Sequence, residues 1–231
     1  MIGHRGARGL APENTWSAIM EALRCGVRAI EIDVHLTRDG EAVLIHDETL
    51  NRTTSGRGPV ASFGVQKLLG LDAGRWFSKV FVGERLPLLR DVLTYLPHSV
   101  TVMIEIKHQS SQARSNRLAE RVQAIVTECR AEGRAILASS NYRCLKHLGK
   151  TAASKCFIYS QPKRLPVAVA DKFRAIQGFS WNCELWDATL AKQLKRLKKT
   201  QYAWVINNPQ QGRLWKQRGM AGVITDYPDR F

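Results

Sequence analysis

Apolar residues recur three and four positions apart in four stretches: Trp16, Ile19, Met20 and Leu23; Leu88, Leu89, Val92, Leu93 and Leu96; Leu118, Val122, Ile125, Val126 and Cys129; Leu190, Leu194 and Leu197. Each set covers one face of a 3.6-residue helix, which predicts four amphipathic helices packed by one side only. Pro12-Glu13-Asn14-Thr15 supplies a start signal for the first. Around them lie short β-branched runs: Met1 to Gly3, Ala29 to Val34, Val100 to Ile106, Ala135 to Ser139, Cys156 to Ser160, Ala175 to Ser180, Tyr202 to Ile206 and Gly222 to Thr225. Strands alternating with helices read as parallel βα units. Eight of them close a (β/α)8 TIM barrel, an α/β fold for which 231 residues is a modest length.

A further run, Ala42 to His46, follows the second strand, which continues to Leu36, across only Thr37-Arg38-Asp39-Gly40-Glu41. A parallel return needs a longer crossover, so this run is the descending arm of a hairpin. A turn at Arg38-Asp39-Gly40 pairs positions whose numbers sum to about 79 and brings His46 opposite Asp33. Residues 47–83 have no strong period and are rich in Thr, Ser, Gly and Arg. They are expected to form a small inserted cap subdomain over the barrel's C-terminal mouth, within a single domain spanning 1–231.

Composition narrows the class. A hydrophobic content of 44% supports a substantial core and excludes disorder as the main state. Lys and Arg number 35 against 20 Asp and Glu, a net charge of +15 that favours phosphate, acidic lipid or another anion as substrate or partner. Lys192, Lys195, Arg196, Lys198 and Lys199 line one late helix and read first as a solvated face; peripheral contact with acidic lipid is the sharper alternative. No recognition helix or zinc finger supports specific nucleic-acid binding. Cys25, Cys129, Cys144, Cys156 and Cys183 are scattered without C-x-x-C spacing, which argues for small apolar residues in a reducing compartment. No long apolar stretch predicts a transmembrane segment, and with no signal-like start a cytoplasmic location is expected. Asn51-Arg52-Thr53 is then a chance sequon match, and the pattern does not set an oligomeric state.

Two strands break the apolar rule at their C-terminal ends, where barrels gather chemistry. In Ile30-Glu31-Ile32-Asp33-Val34 the acids share one face, and in Val102-Met103-Ile104-Glu105-Ile106-Lys107 the same alternation puts Glu105 and Lys107 together. Three lumen carboxylates repel unless a positive charge sits between them. Oxygen-only ligation by Glu31, Asp33 and Glu105 suits one hard divalent cation, Mg²⁺ or Ca²⁺, rather than zinc; salt bridges to barrel arginines are the alternative. His4 and Arg5 end the first strand, and His46 falls beside the acids. Imidazole can both take and give a proton near neutrality, which makes His4 and His46 the candidate acid–base pair for breaking a P–O bond. Arg5 and Lys107 would neutralise phosphoryl oxygens. His35 is expected to support these groups from behind, and His108 to lie on the rim.

The motifs His4-Arg5-Gly6, Pro12-Glu13-Asn14-Thr15, Glu31-x-Asp33-Val34, His46-Asp47, Arg52-Thr53-Thr54, Leu71-Asp72-Ala73-Gly74, Glu105-Ile106-Lys107 and Ile224-Thr225-Asp226-x-Pro228-Asp229 resemble, in order, those of the glycerophosphodiester phosphodiesterase family. The resemblance covers essentially the whole chain. It implies a phospholipase-C-like barrel that hydrolyses glycerophosphodiesters, such as glycerophosphocholine or glycerophosphoethanolamine, to sn-glycerol 3-phosphate and an alcohol. It also implies catalytic histidines at His4 and His46, metal at Glu31, Asp33 and Glu105, phosphate at Arg5 and Lys107, and a glycerol-pocket aromatic at Trp204. The nucleophile is water or the substrate's own 2-hydroxyl. Asp226 is expected to orient Arg5 or to anchor the closing loop. A second expectation keeps the barrel but takes lysophospholipids, in lysophospholipase D fashion. That needs an apolar surface beside the mouth, for which Trp76-Phe77 and Val80-Phe81-Val82 are the candidates. A third, from another class, is a non-catalytic phosphoester- or nucleic-acid-binding protein, which a missing motif residue would favour.

Overall fold

The structure, a computed structural model, describes residues 1–160 and 175–231. Its strands are β1 (Ile2–Gly3), β2 (Ala29–Leu36), β3 (Ala42–Leu44), β4 (Thr101–Ile106), β5 (Ala135–Ser139), β6 (Ser154–Tyr159), β7 (Gly178–Asn182), β8 (Thr200–Trp204) and β9 (Gly222–Thr225). All but β3 run parallel, and β1 pairs with both β2 and β9, so the eight parallel strands close on themselves. This is the (β/α)8 barrel that the sequence pattern predicts.

Alternation along each strand sorts the side chains into two layers. Ile30, Ile32, Val34, Val102, Ile104 and Ile106 pack outward against the helices. Inside, Ile2, Met103, Ala138, Cys156, Ile158 and Ile224 fill the lumen. The four predicted helices are Trp16–Arg24, Leu89–Tyr95, Gln112–Glu128 and Ala188–Arg196. The first starts where predicted, with Thr15 Oγ1 accepting the Ala18 N–H at 3.3 Å. Two further helices show no apolar stripe, Tyr142–His147 because it is a turn and a half long and Pro209–Gln217 because its large apolar residues, Leu214 and Trp215, are adjacent; Asn141 and Asn208 cap them.

Strand limits differ from expectation by a few residues. The sixth parallel strand, β7, is displaced toward its C-terminus, to Gly178–Asn182, and is preceded by a lead-in in which the Gln177 backbone already bonds to Lys155 and Thr200. The hairpin departs more significantly. Its ladder pairs Val34 with Leu44, His35 with Val43 and Leu36 with Ala42, one residue out of the predicted register, and stops there. Ile45, not His46, donates to the Asp33 carbonyl (3.1 Å). His46 therefore reaches the mouth by leaving the sheet, not by lying opposite Asp33.

Beyond β3 the chain builds a second apolar cluster from Val43, Ile45, Leu50, Val60, Leu68, Leu71, Ala73 and Leu86, separate from the barrel core. The short helix Val65–Leu69 and the 3-10 turn Val60–Ser62 contribute to it, while a second 3-10 turn, Lys79–Phe81, lies outside it. No helix among the described residues is long and apolar enough to cross a membrane. Lys192, Lys195, Arg196 and Lys198 are exposed as a solvated face requires, whereas Lys199 is half-buried and donates to the Ile176 carbonyl.

Candidate active site

Strand parity delivers the acids. Glu31 and Asp33 project inward from β2, and Glu105, paired in register with Asp33, does so from β4. One carboxylate oxygen from each lies within 4.8 Å of the others. Two cationic side chains pair with two of the three. Lys107 Nζ lies 2.9 Å from Glu105 and 3.4 Å from Asp33, while Arg5 Nε lies 3.2 Å from Asp33 without hydrogen-bond alignment. Asn14 Nδ2 also donates to Asp33 (2.9 Å).

Glu31 lacks such a partner. It accepts the Arg5 backbone N–H at 3.0 Å, and the nearest imidazole nitrogen, His4 Nε2, is 3.9 Å away. Burial, reinforced by Asp33 and Glu105, pushes its carboxyl well above the ordinary range. Burial and Asp33 also raise Glu105. For Asp33 burial acts in the same direction, but Lys107 and Arg5 outweigh it and hold the group well below normal. Convergent oxygen donors with one buried acid short of a counter-charge fit a hard divalent cation.

His4 follows β1 in a turn that closes around glycine: a Cβ on Gly3 would overlap the Gly6 carbonyl, and Gly6 itself has φ +82°. His4 Nδ1 donates to Asp226 Oδ1 at 2.6 Å. Asn207 Nδ2 donates to the other Asp226 oxygen (3.0 Å), and Asn207 Oδ1 accepts the Asp226 N–H (2.9 Å). The Asp226 side chain thus holds His4 rather than Arg5, while its carbonyl accepts the Gly9 N–H (3.0 Å).

His46 has the same arrangement on the other side. Its Nδ1 donates to Asp47 (2.7 Å), which takes two bonds from Arg52 (2.8 and 2.9 Å). Arg52 also grips Glu13 (2.7 and 3.0 Å), and Glu13 accepts from Arg5 (2.6 Å). A continuous chain of charge therefore joins the two sides of the mouth. His35 lies behind His46: Gln109 Nε2 donates to His35 Nδ1 (3.0 Å), so His35 Nε2 carries the hydrogen given to the His46 carbonyl (3.1 Å). Burial lowers both His4, against the pull of Asp226, and His46, against that of Asp33. With Nδ1 committed to a carboxylate, each ring keeps Nε2 for the lumen.

These groups open on one cavity of about 400 Å³, lined by His4, Arg5, Glu31, His46, Glu105, Lys107 and Trp204 among others. Asp33 sits behind the lining. Trp204 belongs to the lumen layer rather than the helix layer. His108 is exposed and lies outside this cavity, on the rim as expected. The supporting groups Glu13, Asn14, Asp47, Arg52 and Asn207 carry no single-residue signal. Four of them nevertheless stand inside the short motif strings quoted above, and that was the available clue.

A closed parallel barrel with two anchored imidazoles, three converging acids and two cations at its C-terminal mouth defines a TIM-barrel hydrolase of phosphoric diesters. The chain matches the glycerophosphoryl diester phosphodiesterase family over residues 4–230 and belongs to it. It is 32% identical over 234 residues to the glycerophosphodiester phosphodiesterase of Caldanaerobacter subterraneus subsp. tengcongensis, covering 99% of this chain and 94% of that one. The crystal structure of a glycerophosphodiester phosphodiesterase from Agrobacterium tumefaciens superimposes with a TM-score of 0.82 at 25% identity, covering 100% and 97% of the two chains. The fold is also that of an Oleispira antarctica phosphodiesterase in complex with the product sn-glycerol-3-phosphate (TM-score 0.89, 24% identity, 99% and 93% covered). The protein is accordingly an enzyme with glycerophosphodiester phosphodiesterase activity.

Proposed function

We propose that the enzyme hydrolyses glycerophosphodiesters such as glycerophosphocholine and glycerophosphoethanolamine to sn-glycerol 3-phosphate and an alcohol, with His4 and His46 as the acid–base pair. The observation that carries this reading is the opening of two Nδ1-anchored imidazoles onto the cavity that also holds Glu31 and Glu105. Arg5 and Lys107 receive the phosphoryl oxygens, and Trp204 forms a wall for the glycerol. One imidazole Nε2 takes the proton of the attacking hydroxyl as its oxygen bonds to phosphorus. The other gives a proton to the alkoxide oxygen as the second P–O bond breaks. Asp226 and Asp47 stabilise whichever ring is cationic at each stage. Glu31, Asp33 and Glu105 would hold a divalent cation, Mg²⁺ or Ca²⁺, which when bound neutralises phosphoryl charge.

The test is release of glycerol 3-phosphate from a panel of glycerophosphodiesters with Ca²⁺, Mg²⁺ or chelator present. Turnover should require a divalent cation and fall by roughly 100-fold or more in His4→Ala and in His46→Ala. Full activity in chelator, or in either variant, would remove the basis of the proposal.

A further inference from the structure

The segment from Asp72 to Gly83 is a compact loop closed on one carboxylate. Asp72 accepts the N–H groups of Gly74 (3.0 Å), Arg75 (2.8 Å) and Gly83 (2.6 Å), so both ends of the loop hang from a single side chain. A Cβ on Gly74 would overlap the Phe81 carbonyl, so the ends approach this closely only with glycine there. Inside, Phe77 stacks edge-on against Trp76 (5.6 Å) and Phe81 (5.7 Å), giving the loop a small aromatic core of its own. Such self-packed Ω-loops are rigid presenters of side chains and are frequently functional.

What this loop presents is unusual for a water-facing surface. Val80 is 82% exposed, Val82 48% and Trp76 38%. The exposed cations Arg75, Lys79 and Arg85 surround them, and none forms an ion pair with a described residue. Two acids stand beside them, Asp72 bonded to the loop backbone and Glu84 to the Ser17 hydroxyl, and three cations against these two leave the patch net positive. A half-exposed tryptophan, an aliphatic tip and a net positive rim together match the chemistry of an anionic bilayer surface. Three exposed apolar side chains are too few for the roughly 800 Å² per partner of a stable protein interface.

The loop also has a fixed relation to the site. The Arg52 guanidinium lies 5.9 Å from the Trp76 ring and holds Asp47, which anchors His46. We infer that the Asp72–Gly83 loop seats the rim of the catalytic cavity on an anionic membrane. Resting on the phosphodiesterase reading above, this extends the substrate class to acylated glycerophosphodiesters carried in the bilayer.

The test uses the full chain and sedimentation with vesicles of phosphatidylcholine, with or without one-third phosphatidylglycerol. Binding should require the anionic lipid and weaken with salt. At about fivefold per cation, Arg75→Glu, Lys79→Glu and Arg85→Glu combined should weaken it by roughly 100-fold or more. Val80→Asp with Val82→Asp should weaken it with all cations intact. The same variants should lose turnover of a vesicle-borne lysophospholipid while keeping that of glycerophosphocholine. No sedimentation, equal sedimentation of wild type and variants, or self-association abolished by Val80→Asp would overturn the docking inference. Vesicle binding without turnover of either substrate would instead overturn the phosphodiesterase reading and leave docking standing.

Discussion

Replacing Asp226 by Asn probes the step that the geometry supports most directly. The carboxylate lies 2.6 Å from His4 Nδ1, and the two side chains are only 16% and 12% exposed. At an effective dielectric of about 20, opposite charges some 4 Å apart attract by about 4 kcal/mol, which corresponds to a rate factor of roughly 10³ if His4 becomes cationic in the transition state. Asparagine keeps the shape and can still accept from Asn207, but its amide can donate to Nδ1 and favour the wrong tautomer. kcat should therefore fall by roughly 10³-fold with KM changed by less than about threefold, since Asp226 does not line the cavity. Asp47→Asn is the internal comparison. Asp47 is 29% exposed and takes two hydrogen bonds from Arg52, a closer claim on its charge than the 3.4 Å approach of Arg8 Nε to Asp226, so the loss should be only about tenfold. Steady-state kinetics at saturating cation, with melting curves to confirm folding, measures both. Equal losses in the two variants, or an unimpaired Asp226→Asn enzyme, would refute the assignment of Asp226 as the principal support of a cationic His4.

Further outcomes follow from the buried charges. Glu31→Gln should raise the half-saturating cation concentration beyond the 10–100-fold typical of residues that only support ligands, as read by titrating activity or by calorimetry. Because the Glu31 carboxyl is raised well above its usual range, a proton competes with the cation there; wild-type cation affinity should climb as pH rises, and Glu31→Gln should flatten that climb. His35 is 4% exposed, and burial lowers it from 6.5 to about 4. Below pH 6.5 the unfolded chain takes up a proton that folded His35 refuses, so stability is intact above that pH and drains away toward about pH 4, by about 3 kcal/mol in all. Urea unfolding at both pH values should show this dependence shrinking in His35→Gln, whose amide can still donate to the His46 carbonyl; an unchanged dependence would assign the loss to other groups.

The fold was legible because its signals are local. Period two in Ile30 to Val34 and in Val102 to Lys107 is a property of consecutive residues, and it placed Glu31, Asp33 and Glu105 on one inner face before any pairing was known. The hairpin was legible in kind but not in register. Its loop is closed by Thr37 and Glu41, with the Thr37 N–H on the Glu41 carbonyl at 2.9 Å, and a closure one residue different moves every opposite pair. The helices Tyr142–His147 and Pro209–Gln217 were missed for want of an apolar period, the second having only the adjacent Leu214 and Trp215, although their asparagine caps are visible in the sequence.

At the site, the groups that meet the cavity were readable and most of the groups that hold them were not, for a physical reason. A ring nitrogen or carboxylate facing the lumen is fixed by its strand position, whereas its supporting partner need only be near in space. His4 and Asp226 are 222 positions apart, and Arg52 and Glu13 are 39 apart. Closing the barrel brings β1 against β9, and that single pairing joins His4 to Asp226; without it both residues remain isolated motif letters. The same closure makes the imidazoles unequal. His4 rests on a carboxylate held by the Asn207 amide with Arg8 Nε at 3.4 Å, and His46 on one gripped by two Arg52 hydrogen bonds of 2.8 and 2.9 Å, so equivalent motif histidines enter the cavity with different reserves of negative charge behind them.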